Sequence, residues 1–189
     1  GHKIKITDTL LPANPYGASK VASDLYLQER MINGGIKGFI TRAFSHTGPR
    51  RGRNFSISCD AYQIAKMMLG KQDKTLSVGN LETVRVVIDV RDCVRAYYLL
   101  MKSDDSLGKV FNVCGDIPRK MGFYTDELIG LSNLKGVEKW VNPKYYRPID
   151  IAYQHGDCTD LKRITGWEPN YPIKETLSDL LSYWEGKLA

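Results

Sequence analysis

Tyr16 and Lys20 stand four residues apart in Pro15-Tyr16-Gly17-Ala18-Ser19-Lys20. On a helix, residues i and i+4 share a face, so a phenol and an ammonium at this spacing converge on one ligand. A cation beside a phenol pulls the pKa down from its ordinary value of about 10, which makes a tyrosinate usable as proton donor or acceptor near neutrality. The same spacing also suits an aromatic and a lysine on an exposed helix face. The densest basic cluster is Arg50-Arg51-Gly52-Arg53, at the end of Phe44-Ser45-His46-Thr47-Gly48-Pro49. Guanidinium groups hold phosphate oxygens in a planar fork.

These residues need elements to position them. Asn14-Pro15 breaks an irregular stretch over 3–14, and proline at the first turn starts a helix that runs to about residue 32. Asn33-Gly34-Gly35 ends it. Residues 38–44 read as a short buried strand and 45–54 as a loop. The pattern predicts helices over 56–69 and, capped by Asp89, through residue 101. Further helices are expected near 124–131, over 159–165 and from 173 to about 185. Strands are expected at 75–78, 85–88, 108–113 and 137–141. Alternating strands and helices place the chain in the α/β or α+β class.

Composition narrows the function. The 189 residues suit about one domain, with 42% hydrophobic and 25% charged residues, which excludes disorder, collagen and coiled coil. No apolar run nears the ~20 residues of a bilayer span. The 27 Lys+Arg exceed the 21 Asp+Glu by 6, which suits an anionic partner. No polybasic tract or basic stripe interleaved with aromatics supports nucleic acid, so a small phosphate ligand is favoured. Cys59, Cys93, Cys114 and Cys158 are far apart, without a CxxC pair or zinc-spaced histidines. They read as free thiols, mostly in the core, of a cytoplasmic protein with no signal peptide and no metal. His155, Trp167 and Trp184 read as structural. No GxGxxG and no GxxxxGK[ST] occurs.

Asn14 with Pro15-Tyr16-Gly17-Ala18-Ser19-Lys20, then Arg42-Ala43-Phe44, resembles the catalytic segment of extended short-chain dehydrogenase/reductases. The loop from Phe44 to Phe55, Val78-Gly79-Asn80-Leu81 followed by Arg85, Lys144-Tyr145-Tyr146-Arg147-Pro148, and Gly166-Trp167-Glu168-Pro169 are similar to GDP-mannose 4,6-dehydratases. The likeness runs from about Asn14 to Trp184. Ser45-His46-Thr47-Gly48-Pro49, Asp89-Val90-Arg91-Asp92 and Phe111-Asn112-Val113-Cys114 look more like GDP-4-keto-6-deoxy-mannose reductases.

The resemblance implies an α/β fragment of an extended short-chain dehydrogenase. Residues 1–44 would be the remnant of the NAD(P)-binding Rossmann domain, and 45–189 the nucleotide-sugar domain. The dinucleotide-binding half would lie ahead of Tyr16, so no turnover is expected of this chain by itself. Tyr16 would remove the C4 hydroxyl proton as hydride passes to NAD or NADP, before water is lost across C5–C6 and hydride returns to C6. Lys20 would hold the nicotinamide ribose, and His46 and Arg50 would lie towards the cofactor or a subunit interface. Ser45, Arg51, Arg85, Arg147 and Asp150 would contact the GDP-sugar, the arginines at phosphate or ribose and Asp150 at a hydroxyl. Each arginine has the alternative of a solvated charge or an ion pair. Members of the family form dimers or tetramers, so a homo-oligomer is implied. Two departures stand out: Val86 replaces the acidic partner of the family's Arg-Asp pair, and Cys59 falls where the dehydratases carry a lysine. A reductase, another nucleotide-sugar epimerase/dehydratase, or a non-catalytic nucleotide-sugar binding module remain the alternatives.

Overall fold

The computed structural model describes residues 2–145 and 150–189. Asn14 opens α1 (Pro15–Ile32) by accepting a hydrogen bond from the Gly17 N–H at 2.8 Å, while Pro15 takes a position that needs no N–H. One buried residue of this helix, Asp24, fastens it to β1 (Ile40–Ala43). Arg42 on β1 donates to both Asp24 oxygens, at 2.8 and 2.9 Å, and to the Ile6 carbonyl at 2.8 Å. That fork holds the Asp24 carboxyl below the usual carboxylate range despite burial. It fixes the helix that carries Tyr16 and Lys20.

The chain continues through β2 (His46–Thr47), α2 (Ser56–Met68), β3 (Thr75–Val78), β4 (Val84–Arg85), β5 (Ile88–Asp89) and α3 (Val90–Met101). Then follow β6 (Val110–Val113), β7 (Arg119–Lys120), α4 (Met121–Ser132), β8 (Glu138–Val141), β9 (Tyr153–Gln154), α5 (Thr159–Thr165) and α6 (Ile173–Leu188). Pairing is parallel for β1 with β6, β2 with β5, and β3 with β8. β4 runs parallel to β9 and antiparallel to β7. The mixed α/β class expected from the alternation is therefore observed. The strand expected over 85–88 is instead two strands in different sheets. The chain changes sheets at Val86 and Val87, both buried. An unbroken apolar run hides such a switch, because every position in it is inside.

Two apolar cores result. One gathers Ile64, Leu76, Tyr124, Leu128, Leu177 and Leu180 from α2, β3, α4 and α6. The other gathers Leu100, Phe111, Val113, Leu161 and Trp167 around β6, α3 and α5. Helical spacing explains the choice of residues: Cys93, Ala96 and Leu100 form the inward stripe of α3, and Leu177, Leu180 and Leu181 that of α6. Each large side chain so buried contributes about 1.5–3 kcal/mol.

Gly156 lies where the tail passes the Phe44 ring, and a Cβ there would stand 2.5 Å from it. Gly156→Ala is therefore expected to cost about 1–3 kcal/mol through overpacking. Urea unfolding measures it, and an unchanged midpoint would show that the ring moves aside freely. Among the described residues no helix is long and apolar enough to cross a membrane.

Candidate active site

Tyr16 and Lys20 share one face of α1, with the Lys20 ammonium 5.6 Å from the centre of the phenol ring. Both are exposed, Tyr16 to 72%. The sequence spacing thus yields the geometry it implies: a phenol and a cation presented together on a rigid helix.

The arginine loop brings Arg51 within electrostatic reach of Tyr16. Gly48-Pro49-Arg50-Arg51 closes a turn in which the Arg51 N–H donates to the Gly48 carbonyl at 3.1 Å. Proline at the second position and φ 71° at Arg50 follow the type II pattern, which places a non-glycine residue in the left-handed region. Gly48 itself cannot carry a side chain, since a Cβ would lie 2.9 Å from Val90. Beyond the turn, the Arg51 carbonyl accepts from Ser58 Oγ at 2.6 Å, and Ser58 Oγ accepts from the Trp184 indole at 2.9 Å. The Arg51 guanidinium stacks 3.4 Å from the Phe55 ring centre. Burial pushes its pKa below the ordinary arginine value, and the Tyr16 hydroxyl acts on it in the opposite direction. Its Nε is buried without a hydrogen-bond partner. A half-buried guanidinium fixed at its backbone, stacked on one face and lacking one partner suits an anionic ligand.

The other residues expected here behave differently. Ser45 is half-buried and its carbonyl accepts from the Ile88 N–H at 3.1 Å. His46 sits on β2, with Nδ1 3.0 Å from the Phe44 carbonyl oxygen. Arg50 is exposed at the tip of the turn. Arg85 and Asp150 are paired with each other: Arg85 Nη2 donates to Asp150 Oδ1 at 3.3 Å, while Nη1 donates to the Val84 carbonyl at 2.8 Å. Asn80 Nδ2 also lies 3.4 Å from Asp150. The expected phosphate contact and the expected hydroxyl acceptor therefore form one ion pair. Arg147 falls outside the described residues.

Two features are not legible in the sequence. Phe55 supports Arg51 at i+4, a spacing visible in hindsight. Thr47 is buried with an unpartnered hydroxyl oxygen. Cys59 is half-buried, and burial raises its thiol pKa. It is hydrogen-bonded to Gln63 and Tyr145. Among the described residues no cluster of His, Cys, Asp or Glu could hold a metal ion.

A mixed α/β fold with an exposed Tyr–Lys helix beside an arginine turn is the arrangement of the short-chain epimerase/dehydratase class. Comparison with known proteins agrees. The family model for GDP-mannose 4,6 dehydratase matches residues 2–180, and the chain belongs to that family. It is 32% identical over 177 residues to the GDP-6-deoxy-D-mannose reductase of Pseudomonas aeruginosa, covering 94% of this chain and 58% of that protein. Human GDP-mannose 4,6 dehydratase is 28% identical over 200 residues, covering 94% of this chain and 52% of its own length. The solved structure of RMD from Pseudomonas aeruginosa, complexed with NADPH, superposes with a TM-score of 0.89 at 30% identity. That match covers 97% of this chain and 60% of the solved one. The chain thus spans little more than half the length of these relatives.

Proposed function

We propose that this chain supplies the proton-transfer pair and the nucleotide-sugar pocket of an enzyme that works on a GDP-sugar with NAD or NADP, as a GDP-mannose 4,6-dehydratase does. The observation that carries the reading is the Tyr16–Lys20 pair on one face of α1, with the incompletely partnered Arg51 in electrostatic reach of Tyr16, in a chain of this family. An exposed phenol and ammonium beside that guanidinium fit an anionic dinucleotide and a sugar nucleotide together. NAD(P), when bound, accepts and returns hydride.

In this reading Tyr16 takes the proton of the sugar C4 hydroxyl, and the Lys20 charge balances the phenolate and holds the nicotinamide ribose. Arg51 binds phosphate, and His46 and Arg50 lie towards the cofactor or a neighbouring subunit. Ser45 contacts the sugar, with Arg85, Arg147 and Asp150 at the nucleotide or sugar hydroxyls. The Arg85–Asp150 pair then divides between two ligand groups rather than standing alone. Residues 1–44 belong with the cofactor-binding portion and 45–189 with the nucleotide-sugar portion. A homo-oligomer and a cytoplasmic location follow from the same reading.

One observation favours a second reading, the reductase: the Pseudomonas aeruginosa reductase is 32% identical to this chain and the human dehydratase 28%. Tyr16 would then protonate the C4 alkoxide instead of deprotonating the hydroxyl.

A thermal-shift titration with GDP, GDP-mannose, UDP and dTDP tests what both readings share. A ligand at a hundredfold excess over Kd stabilises the folded chain by about 2.7 kcal/mol. The expected result is a shift with GDP and GDP-mannose that exceeds that with UDP or dTDP and is lost in Arg51→Ala. Equal shifts with all four would remove the GDP assignment, and no shift with any would remove the pocket.

A further inference from the structure

The Arg51 turn is held from outside itself. Arg50, with φ 71°, lies in the left-handed region that is unfavourable for a non-glycine residue. Such a residue persists only where its surroundings over-determine it. The Arg51 N–H closes the turn on the Gly48 carbonyl, and the Arg51 carbonyl accepts from Ser58 Oγ at 2.6 Å. Ser58 is 0% exposed, in the first turn of α2.

The direction of that hydroxyl is set by a residue 126 positions further on, Trp184 of α6, whose indole donates to Ser58 Oγ at 2.9 Å. An indole N–H can only donate, whereas a hydroxyl has one hydrogen and two lone pairs. Ser58 therefore accepts from Trp184 and keeps its single hydrogen for Arg51, rather than for a carbonyl of its own helix, to which helical serines commonly turn. A hydroxyl that accepts is also the stronger donor, because each bond of a chain polarises the next. Trp184 is itself lodged between rings: Tyr62 meets it edge-on at 5.1 Å between centres, and Tyr183 at 5.2 Å. Tyr62 follows Ser58 by one turn of α2 and shares its face.

We propose that Ser58 and Trp184 are positioning residues for Arg51: the indole orients the hydroxyl, and the hydroxyl holds the backbone from which the guanidinium is set. The proposal rests on the reading of Arg51 as the phosphate-binding group. Both residues act through Arg51 and not on the ligand. They keep the guanidinium stacked 3.4 Å from the Phe55 ring centre, so that less side-chain freedom is lost when an anion binds.

Ser58→Ala, Trp184→Phe and the double variant test this, with GDP affinity measured by calorimetry and amide hydrogen exchange measured without ligand. Phenylalanine keeps a ring against Tyr62 and Tyr183 and removes only the N–H donor. The expected loss of GDP affinity is about tenfold in Ser58→Ala and about threefold in Trp184→Phe, as for one hydrogen bond removed or weakened. The double variant should be no weaker than Ser58→Ala, because the indole acts only through the hydroxyl. Exchange should quicken over residues 48–55 and not throughout α2 and α6. Additive losses of affinity, or faster exchange across both helices, would make the two side chains packing residues and overturn the proposal. Unchanged affinity in both single variants, in a chain that binds GDP, would also overturn it while leaving the phosphate reading of Arg51 in place. If the unsubstituted chain binds no GDP, that reading falls, and exchange over 48–55 decides the positioning role. Should Ser58→Ala not fold, Trp184→Phe carries both measurements.

Discussion

Asp92→Ala is expected to cost the fold about 3–5 kcal/mol, since it removes one member of a buried charged cluster. Asp92 is 0% exposed in the first turn of α3, where a carboxylate favours the positive end of the helix. Both its oxygens accept from the Asn170 N–H at 3.0 Å, and Oδ2 also accepts from the Tyr171 N–H at 3.0 Å. Arg95 donates to Oδ1 at 2.9 Å, and the Trp167 indole donates to the Asp92 carbonyl at 3.0 Å. The Asp92 carboxylate therefore ties Asn170 and Tyr171 to α3 while its backbone carbonyl ties Trp167, the largest fully buried residue of the second core. Alanine leaves two backbone donors and a guanidinium without their acceptor. Urea unfolding should show a lower midpoint at unchanged slope. Asp92→Asn, which keeps an acceptor but loses the charge, should cost less. A loss under about 1 kcal/mol in the alanine variant would mean that water replaces the carboxylate and that the tail docks through Trp167 alone.

The parts of this molecule that can be read from sequence are those set by neighbours in the chain. Asn14 with Pro15 marks the start of α1, and Asp89 marks α3 by accepting from the Arg91 N–H at 2.7 Å. The Tyr16–Lys20 face follows from helical spacing. What escaped depends on residues brought together from afar. Strands β2, β7 and β9 are two residues long, too short for any alternation to show. Helix α4 begins at Met121, earlier than its apolar pattern suggests, because the Met121 and Gly122 N–H groups donate to the Thr83 and Leu81 carbonyls at 2.8 and 2.9 Å, with no side-chain cap from Lys120. The Arg42–Asp24 fork and the Arg85–Asp150 pair each join groups whose individual chemistry is legible but whose partners are not. For the candidate site this distinction has a consequence. Arginine suits phosphate, yet a buried carboxylate is an equally good acceptor for the same fork. Composition cannot separate the two, and only the fold shows that Arg85 already has a carboxylate while the Arg51 Nε lacks a partner.

Asp60 makes stability depend on pH with a sign opposite to that of most carboxylates. It is 5% exposed on α2 and accepts from the Thr125 hydroxyl of α4 at 2.8 Å. Burial pushes its pKa up to about 7, although the Thr125 bond pulls the other way. The folded state therefore binds a proton that the unfolded chain, with an ordinary value of 3.8, releases earlier. Stability from this group is complete below about pH 4 and is lost progressively as pH rises to 7. With 1.36 kcal/mol per pH unit, the loss between pH 5 and pH 8 is about 3 kcal/mol. Asp60→Asn stays neutral throughout and should remove that loss. His155, whose pKa burial lowers, contributes with the opposite sign, gaining stability as pH rises through the ordinary histidine range. It is present in both proteins and cancels in the comparison. Asp24, Asp89 and Asp157, all held below the usual carboxylate value, have their contributions in place by pH 5 and cancel likewise. Urea unfolding of both proteins at the two pH values gives the difference of differences. Equal pH dependence would mean that Asp60 is already ionised in the folded chain. The predicted gap would tie the site to pH, because α2 also carries Ser58, which fixes the Arg51 carbonyl.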